Sequence, residues 1–175
     1  MSFSDALTAT AGAIQLTNAG LLTLTGDVTV GTSVLQNGAG NVLLCGDVSA
    51  GTTVMFNQAV ELCDDVTVAS TGGGQVTFAS TINSEATMNY GLTVNTAGLT
   101  QFNGAIGGGL TQQLGHLITD ATGSTTLGGN VTTSGEQQYG DAVTLTQHVT
   151  LTAVDSDFDG EGIDFAETVD GGTKN

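Results

Sequence analysis

Leu24-Thr25-Gly26-Asp27-Val28 is a five-residue stretch that returns along the chain as Leu44-Cys45-Gly46-Asp47-Val48 and then as Leu62-Cys63-Asp64-Asp65-Val66. The valines that close the three copies, Val28, Val48 and Val66, are nearly evenly spaced. Weaker copies continue this spacing and end at Ala86, Ile106, Val131, Val149 and Val169. A repeat of about twenty residues is typical of a solenoid, in which each repeat buries its apolar face against its neighbours.

The residues within each repeat alternate as they do in short β-strands. Leu22-Thr23-Leu24-Thr25 places leucines on one face and threonines on the other, and Gly26-Asp27 then turns the chain into Val28-Thr29-Val30. Parallel strands joined by crossovers wind right-handed as a rule. The sequence therefore predicts an all-β fold, a right-handed parallel β-helix (β-solenoid) of about eight coils of roughly 18–25 residues.

A longer repeat lies on top of the short one. The stretch from Phe56 to Leu62 resembles the stretch from Tyr139 to Leu145. The same offset relates Val48 to Val131 and Gly46 to Gly129, and it equals the sum of four successive short repeats. We interpret it as a super-repeat of four coils, about 48–130, followed by a partial second copy at 131–175. The whole chain, 1–175, is predicted to form a single β-helix domain.

Equivalent side chains of successive coils are expected to stack, because neighbouring strands lie about 4.8 Å apart. The predicted columns are Leu24 on Leu44 on Leu62, Val28 on Val48 on Val66, and Asp27 on Asp47 on Asp65. At a turn, an aspartate can accept hydrogen bonds from nearby backbone N–H groups. Cys45 and Cys63 become neighbours at a Cα separation that a disulfide can bridge. A disulfide, which suits an exported protein, and two stacked buried thiols both fit this position.

Composition and charge exclude several classes of partner. The chain has 27 glycines and no proline, and 17 acidic residues face a single basic one, Lys174, for a net charge of −16. Such a surface repels the phosphates of nucleic acid and anionic lipid headgroups. No stretch approaches the roughly 18 apolar residues of a membrane span, so no membrane insertion is predicted. The start, Met1-Ser2-Phe3-Ser4-Asp5, lacks the basic and apolar regions of a signal peptide, and we expect a piece cut from a longer exported chain.

Three stretches carry a family resemblance. They are Leu92-Thr93-Val94-Asn95-Thr96-Ala97-Gly98, Gln101-Phe102-Asn103-Gly104-Ala105-Ile106-Gly107-Gly108, and the run from Gly135 to Leu145. Together with most of 42–172 they resemble the repeat region of giant bacterial surface proteins of the filamentous-haemagglutinin-like type. The resemblance implies a long right-handed β-helix, export to the bacterial cell surface or the medium, and adhesion or a structural role. It transfers no catalytic residue.

An acidic stretch near the C-terminus has the pattern of a calcium loop. Asp155-Ser156-Asp157-Phe158-Asp159-Gly160 alternates carboxylates before a glycine, which can wrap one hard cation in oxygen ligands. The candidate ligands for calcium are Asp155, Asp157, Asp159 and Glu161. An EF-hand loop would need a glutamate at its twelfth position, where this chain has Ala166. Calcium binding and a solvated acidic loop are therefore the two interpretations.

A catalytic role is the first alternative to a structural one. Asp27, Asp47, Asp64 and Asp65 could form the carboxylate pair of a glycan-active β-helix enzyme. Glycan-cleaving sites carry aromatic platforms, or a basic residue for uronates, whereas this chain has no Trp and no Arg. We therefore interpret these aspartates as turn formers and predict that the protein is not an enzyme.

Alternating threonines raise the further alternative of an ice-binding face. The pattern occurs at Thr23 and Thr25 and again at Thr144 and Thr146, but the coil around Val48 breaks it with Ser49-Ala50. The threonines are explained equally well by their preference for strands.

The predicted function is a non-catalytic structural or adhesive segment of a secreted or surface-attached bacterial protein. The expected partners are the chain itself, through end-to-end stacking into filaments or through adjacent coils of a longer chain, and a cell-surface or glycan receptor. Unpaired strand edges at the ends of a β-helix favour such stacking. The alternatives are an ice- or calcium-dependent binding module and, less favoured, a glycan-active enzyme.

Overall fold

The computed structural model describes residues 1–108, 111–154 and 162–172. The described residues form β-strands and turns and contain no helix. The strands fall into coils of three, one strand on each face. Coils 1–4 contain β1 (Ser2–Phe3), β2 (Leu7–Ala9), β3 (Ile14–Leu16); β4 (Leu22–Leu24), β5 (Val28–Val30), β6 (Val34–Gln36); β7 (Val42–Leu44), β8 (Val48–Ala50), β9 (Val54–Phe56); β10 (Val60–Leu62), β11 (Val66–Ser70), β12 (Val76–Phe78).

The remaining four coils continue the same three faces. They contain β13 (Ile82–Ser84), β14 (Leu92–Thr96), β15 (Leu99–Phe102); β16 (Leu117–Thr119), β17 (Ser124–Leu127); β18 (Val131–Thr133), β19 (Gln137–Tyr139), β20 (Ala142–Leu145); β21 (Leu151–Ala153), β22 (Ile163–Phe165), β23 (Val169–Asp170). In coil 6 the first strand is replaced by Ile106, which bridges to Ile82 in coil 5 and to Val131 in coil 7.

Three parallel sheets run along the coils. Sheet A holds the first strand of each coil except coil 6, where the bridge at Ile106 links its two parts. Sheet B holds the second strands and sheet C the third, and each of these strands pairs with the equivalent strands of the neighbouring coils. Eight coils thus stack at seven interfaces, which confirms the predicted β-solenoid. The strand pairing is the same for either hand of winding, so the right-handed sense stays a prediction.

The core consists of columns of side chains that repeat from coil to coil. In sheet A, Leu24, Leu44 and Leu62 pair in register and are fully buried, as the sequence predicts. In sheet C, Phe56, Phe78 and Phe102 form a column of stacked rings with centroids 5.5 Å apart. Offset stacking of this kind adds roughly 0.5–1.5 kcal/mol per pair to the area that each ring buries.

The predicted valine column is wrong at its third member. Val28 pairs with Val48, but Val48 pairs with Val68, and Val66 pairs with Leu92 instead. Strand β11 of coil 4 is therefore shifted by two residues, one full inward–outward alternation, from the predicted register with coil 3. Because side chains alternate with a period of two, both Val66 and Val68 still point inward and are buried.

The interpretation of the long offset as four whole turns is also wrong. Val48 lies in sheet B and Val131 in sheet A, and Phe56 lies in sheet C and Tyr139 in sheet B. Four coils from Val48, counted through the paired residues of sheet B, lead to Tyr139. All three faces share the same alternation of inward apolar and outward polar residues, so a sequence comparison can match one face to another.

Candidate functional surfaces

The predicted calcium ligands Asp155, Asp157, Asp159 and Glu161 lie outside the described residues. In the described parts of the chain, no group of three or more His, Cys, Asp or Glu side chains is placed to hold a metal ion. Calcium binding by the acidic loop therefore stays a prediction.

The aspartates that follow sheet A form an acidic corner, defined here as Asp27, Asp47 and Asp65. The backbone N–H of Asp47 donates to Asp27 Oδ1 at 3.0 Å, and the N–H of Thr67 donates to Asp47 Oδ1 at 2.7 Å. The N–H of Gly91 donates to Asp65 Oδ1 at 2.7 Å. Each carboxylate thus accepts a charge-assisted hydrogen bond from the next coil.

These contacts are of the kind that the sequence predicts for turn-forming aspartates, with one correction to their register. Asp65 is out of register with Asp47, because Thr67 takes the position opposite Asp47. All three aspartates are exposed to solvent. Their hydrogen bonds tie successive coils together at the corner.

Cys45 and Cys63 form a disulfide, which decides between the two interpretations left open by the sequence. Their Cα atoms are 4.8 Å apart, the spacing of adjacent coils, and both residues are half-buried. The bond joins coil 3 to coil 4 just before the shift in register. It closes a short loop with a sequence separation of 18, which stabilises a fold by roughly 3 kcal/mol through the entropy of the unfolded chain.

Sequence reasoning missed a groove on the outer face of sheet C, which we call the sheet C groove. Its volume is about 390 Å³ and it crosses coils 2 to 5. Its lining residues include Leu35, Met55, Gln75, Gln101 and Asn103. A signal was present in the sequence, because Leu35 and Met55 are apolar residues at outward positions that elsewhere carry threonine or glutamine.

A buried carboxylate, Asp141, was also missed. It lies between β19 and β20 and is 2 % exposed. The Thr119 hydroxyl donates to Asp141 Oδ1 at 3.3 Å, whereas Oδ2 has no hydrogen-bond partner within the described residues. Burial raises the pKa of the Asp141 carboxyl above its ordinary value, and the neighbouring hydroxyls of Thr125 and Thr119 offset only part of that effect.

A buried tyrosine lies close to Asp141. The Tyr139 hydroxyl donates to Gln137 Oε1 at 3.1 Å, and burial raises the pKa of Tyr139. The ring of Tyr139 stacks on that of Phe165 in the next coil, with centroids 4.9 Å apart. The interior of the later coils therefore contains polar side chains.

The two histidines lie on different coils, His116 just before β16 and His148 between β20 and β21. His148 is exposed, and the imidazole of half-buried His116 lies directly against Gly91, where any larger residue would overlap it.

Comparisons with known protein families, with curated proteins and with solved structures find no match to this chain. The resemblance to filamentous-haemagglutinin-like proteins therefore stays a prediction. Among the described residues there is also no helix long and apolar enough to cross a membrane.

Proposed function

We propose that this chain is a non-catalytic structural or adhesive segment of a bacterial extracellular or cell-surface protein, whose end coils stack on further coils. The observation that carries the proposal is one column of sheet B that runs through all eight coils. It begins at Leu7 in coil 1 and ends at Phe165 in coil 8. Both end residues are only partly buried, although they pack against the core.

The outermost described coils leave one side of every strand without a neighbour among the described residues. Strands β1, β2 and β3 pair only with coil 2, and β21, β22 and β23 pair only with coil 7. A parallel strand edge of this kind presents free backbone N–H and C=O groups that a further strand can bond. Apolar side chains beside these edges add to the attraction, since Ile163 and Val169 are 39 % and 45 % exposed.

A second copy of the chain can supply the missing coil. If coil 1 of one copy lies on coil 8 of another, sheets A, B and C continue across the junction and Leu7 meets Phe165. Such a contact joins two different surfaces, so it repeats and produces a filament instead of a closed dimer. Adjacent coils of a longer chain would use the same edges in the same way.

The disulfide between Cys45 and Cys63 supports the extracellular location. Thiols are kept reduced in the cytosol, and structural disulfides are found mainly in exported proteins. The backbone hydrogen bonds run along the axis of the solenoid in all three sheets, which suits a rigid spacer about 34 Å long over seven coil-to-coil steps.

Two substitutions in one strand test the stacking. Leu7→Asp places a carboxylate in the end column, whereas Thr8→Asp places the same charge on the exposed outer face of β2. We expect concentrated wild-type protein and Thr8→Asp to form assemblies larger than one molecule in sedimentation velocity, and Leu7→Asp to remain monomeric. Circular dichroism checks that both variants keep the β-fold. A wild-type protein that stays monomeric at high concentration, or equal assembly of the two variants, would contradict the proposal.

A further inference from the structure

The sheet C groove has a size that suits a small ligand. Its volume of about 390 Å³ falls in the range of roughly 300–1,000 Å³ that is usual for small-molecule sites. Two outward residues from each of four successive coils line it, so it extends along the solenoid axis. Three coil-to-coil steps give it a length of about 14 Å.

The groove is lined by two outward apolar side chains, by three amides that we call its rim, and by the hydroxyl residues Ser33, Thr53 and Thr77. Leu35 and Met55 form the floor, and Met55 is 37 % exposed. On the rim, Gln75 Nε2 donates to Gln101 Oε1 at 2.6 Å, and Gln101 Nε2 donates to Asn103 Oδ1 at 2.9 Å. This relay fixes the orientation of three amides. It leaves the Asn103 Nδ2 donor and the Gln75 Oε1 acceptor without a hydrogen bond in the described part of the chain, and both lie beside the groove.

The groove is uncharged although the molecule is strongly acidic. None of its lining residues is ionisable. The carboxylates of the first five coils lie on sheet A or on the corner that follows it, at Asp5, Asp27, Asp47, Glu61, Asp64, Asp65 and Glu85. A cationic ligand would therefore be drawn to the acidic corner, and an anionic ligand would be repelled by the molecule as a whole. The sheet C groove, which has no ionisable lining residue, therefore suits an uncharged polar ligand.

The position of the groove on a sheet face argues against a peptide. An extended peptide gains its affinity by adding a strand to a sheet edge, where backbone groups are free. The outer face of sheet C offers only side chains, since its backbone groups are bonded between coils. A saccharide chain carries its polar groups as hydroxyls and also exposes C–H faces. The hydroxyls match the amides of Gln75, Gln101 and Asn103, and the C–H faces match Leu35 and Met55.

We propose that the sheet C groove binds a neutral oligosaccharide that lies along the solenoid axis. This inference gives the adhesive part of the proposed function a ligand class and rests on that part. The floor is aliphatic instead of aromatic, so the binding is expected to be weak at one groove. Where copies stack end to end, the groove is repeated along the filament, and several weak contacts can act together.

Methionine methyl NMR tests this inference, because the chain has three methionines and only one lies in the groove. Met1 and Met88 are 59 % and 47 % exposed and serve as internal controls of similar exposure to Met55. The probes are cellotriose, maltotriose and triacetylchitotriose, with trigalacturonate as a charged counterpart. We expect at least one neutral trisaccharide to shift the Met55 methyl signal in a saturable way, with Met1 and Met88 unmoved and trigalacturonate without effect.

A matched pair of variants locates the contact. Gln101→Ala removes the central amide of the rim, and Gln138→Ala removes the same side chain from the exposed face of sheet B. We expect Gln101→Ala to weaken binding at least fivefold and Gln138→Ala to leave it unchanged. Three outcomes would overturn the inference: no Met55 shift with any neutral probe, equal shifts of all three methionines, or equal losses in the two variants.

The titrations are done on the monomeric Leu7→Asp variant at low concentration. Saccharide binding and end-to-end stacking are thereby measured separately. A failure to bind saccharide would refute the groove assignment without affecting the sedimentation result, and a failure to stack would leave the titration intact.

Discussion

Coils 1–4 and coils 5–8 share one architecture but differ in their interiors. In the first half, Val28, Val48 and Val68 follow one another at equal steps along the chain. From coil 4 onwards the steps become uneven. Those from Val68 to Val94 and on to Thr119 are longer because the turns between the strands have grown, whereas the step from Thr119 to Tyr139 is as short as those of the first half. The first half buries mainly valine, leucine and phenylalanine beside Asn18, Gln36 and Ser70, whereas the second buries more polar residues, among them several threonines, a tyrosine and a carboxylate.

The buried polar residues of the two halves also differ in how well they are satisfied. Gln36 in coil 2 is fully buried, yet its Nε2 donates to Asn18 Oδ1 at 2.7 Å and its Oε1 accepts from the N–H of Asn57 at 3.0 Å. In the second half, Thr100 Oγ1 and Asp141 Oδ2 have no partner among the described residues. A buried polar atom without a partner costs about 1–3 kcal/mol. The solenoid therefore tolerates polar residues inside, and we expect its stability to be concentrated in coils 1–4.

The largest expected effect comes from breaking the phenyl column that begins in the first half. Phe78→Ala removes the middle ring between Phe56 and Phe102 and leaves a cavity in a fully buried column. We expect the free energy of unfolding to fall by about 3–5 kcal/mol in chemical denaturation. Thr29→Ala, on the exposed face of sheet B, is the control and should change it by less than about 0.5 kcal/mol. Similar losses for both variants would mean that the column does not carry the stability of the first half.

A smaller effect should follow from removing the covalent link between coils 3 and 4. Replacing both Cys45 and Cys63 by serine opens the disulfide without leaving a free thiol. We expect the unfolding free energy to fall by roughly 2–4 kcal/mol, because the unfolded chain regains the entropy of an open loop. The measurement is denaturation of the double variant beside wild-type protein with and without reductant. An unchanged midpoint on reduction would contradict a structural role for this bond.

The smallest effect is expected at the buried carboxylate Asp141 in the second half. The raised pKa of Asp141 means that the folded state holds this proton more tightly than the unfolded state does. The stability gained from binding this proton is therefore fully present below the pKa of the carboxyl in the unfolded chain. It is lost as the pH rises through the higher pKa of the folded state. We expect Asp141→Asn to be more stable than wild type by about 1 kcal/mol at neutral pH. The substitution removes a buried charge, one oxygen of which has no hydrogen-bond partner among the described residues.

The pH profile distinguishes this effect from a general change in charge. The difference in unfolding free energy between Asp141→Asn and wild type should shrink as the pH is lowered. The control is Asp164→Asn, on the exposed face of β22, whose unfolding free energy should stay close to that of wild type. An Asp141→Asn variant that is less stable than wild type at neutral pH would show that the carboxylate is held favourably.

The sequence predicts the fold because the alternation of inward and outward residues survives in nearly every strand. The column of Leu24, Leu44 and Leu62 could be read directly from the repeated stretch. The position of Val66 could not, since a shift by one full alternation leaves the pattern unchanged and only the paired backbone reveals it. The faces on which Val131 and Tyr139 lie could not be predicted either, since the three faces share one alternation of inward and outward residues.

The candidate surfaces were harder to predict than the fold. The sheet C groove depends on Leu35 and Met55 being brought beside amides from coils 4 and 5, which requires the register between coils. Asp141 looks like any other turn aspartate in the sequence, and only its position between two strands makes it buried. The hydrogen bonds of the acidic corner, by contrast, follow from the residue type that the turn needs.

Electron cryo-microscopy of concentrated wild-type protein would show directly whether the chain stacks end to end. Stacking of coil 1 on coil 8 predicts rods in which one copy advances by about 38 Å, eight coils of about 4.8 Å each, with Leu7 of one copy against Phe165 of the next. Particles of single-molecule length at every concentration, or rods built by side-by-side contact of the sheets, would contradict it.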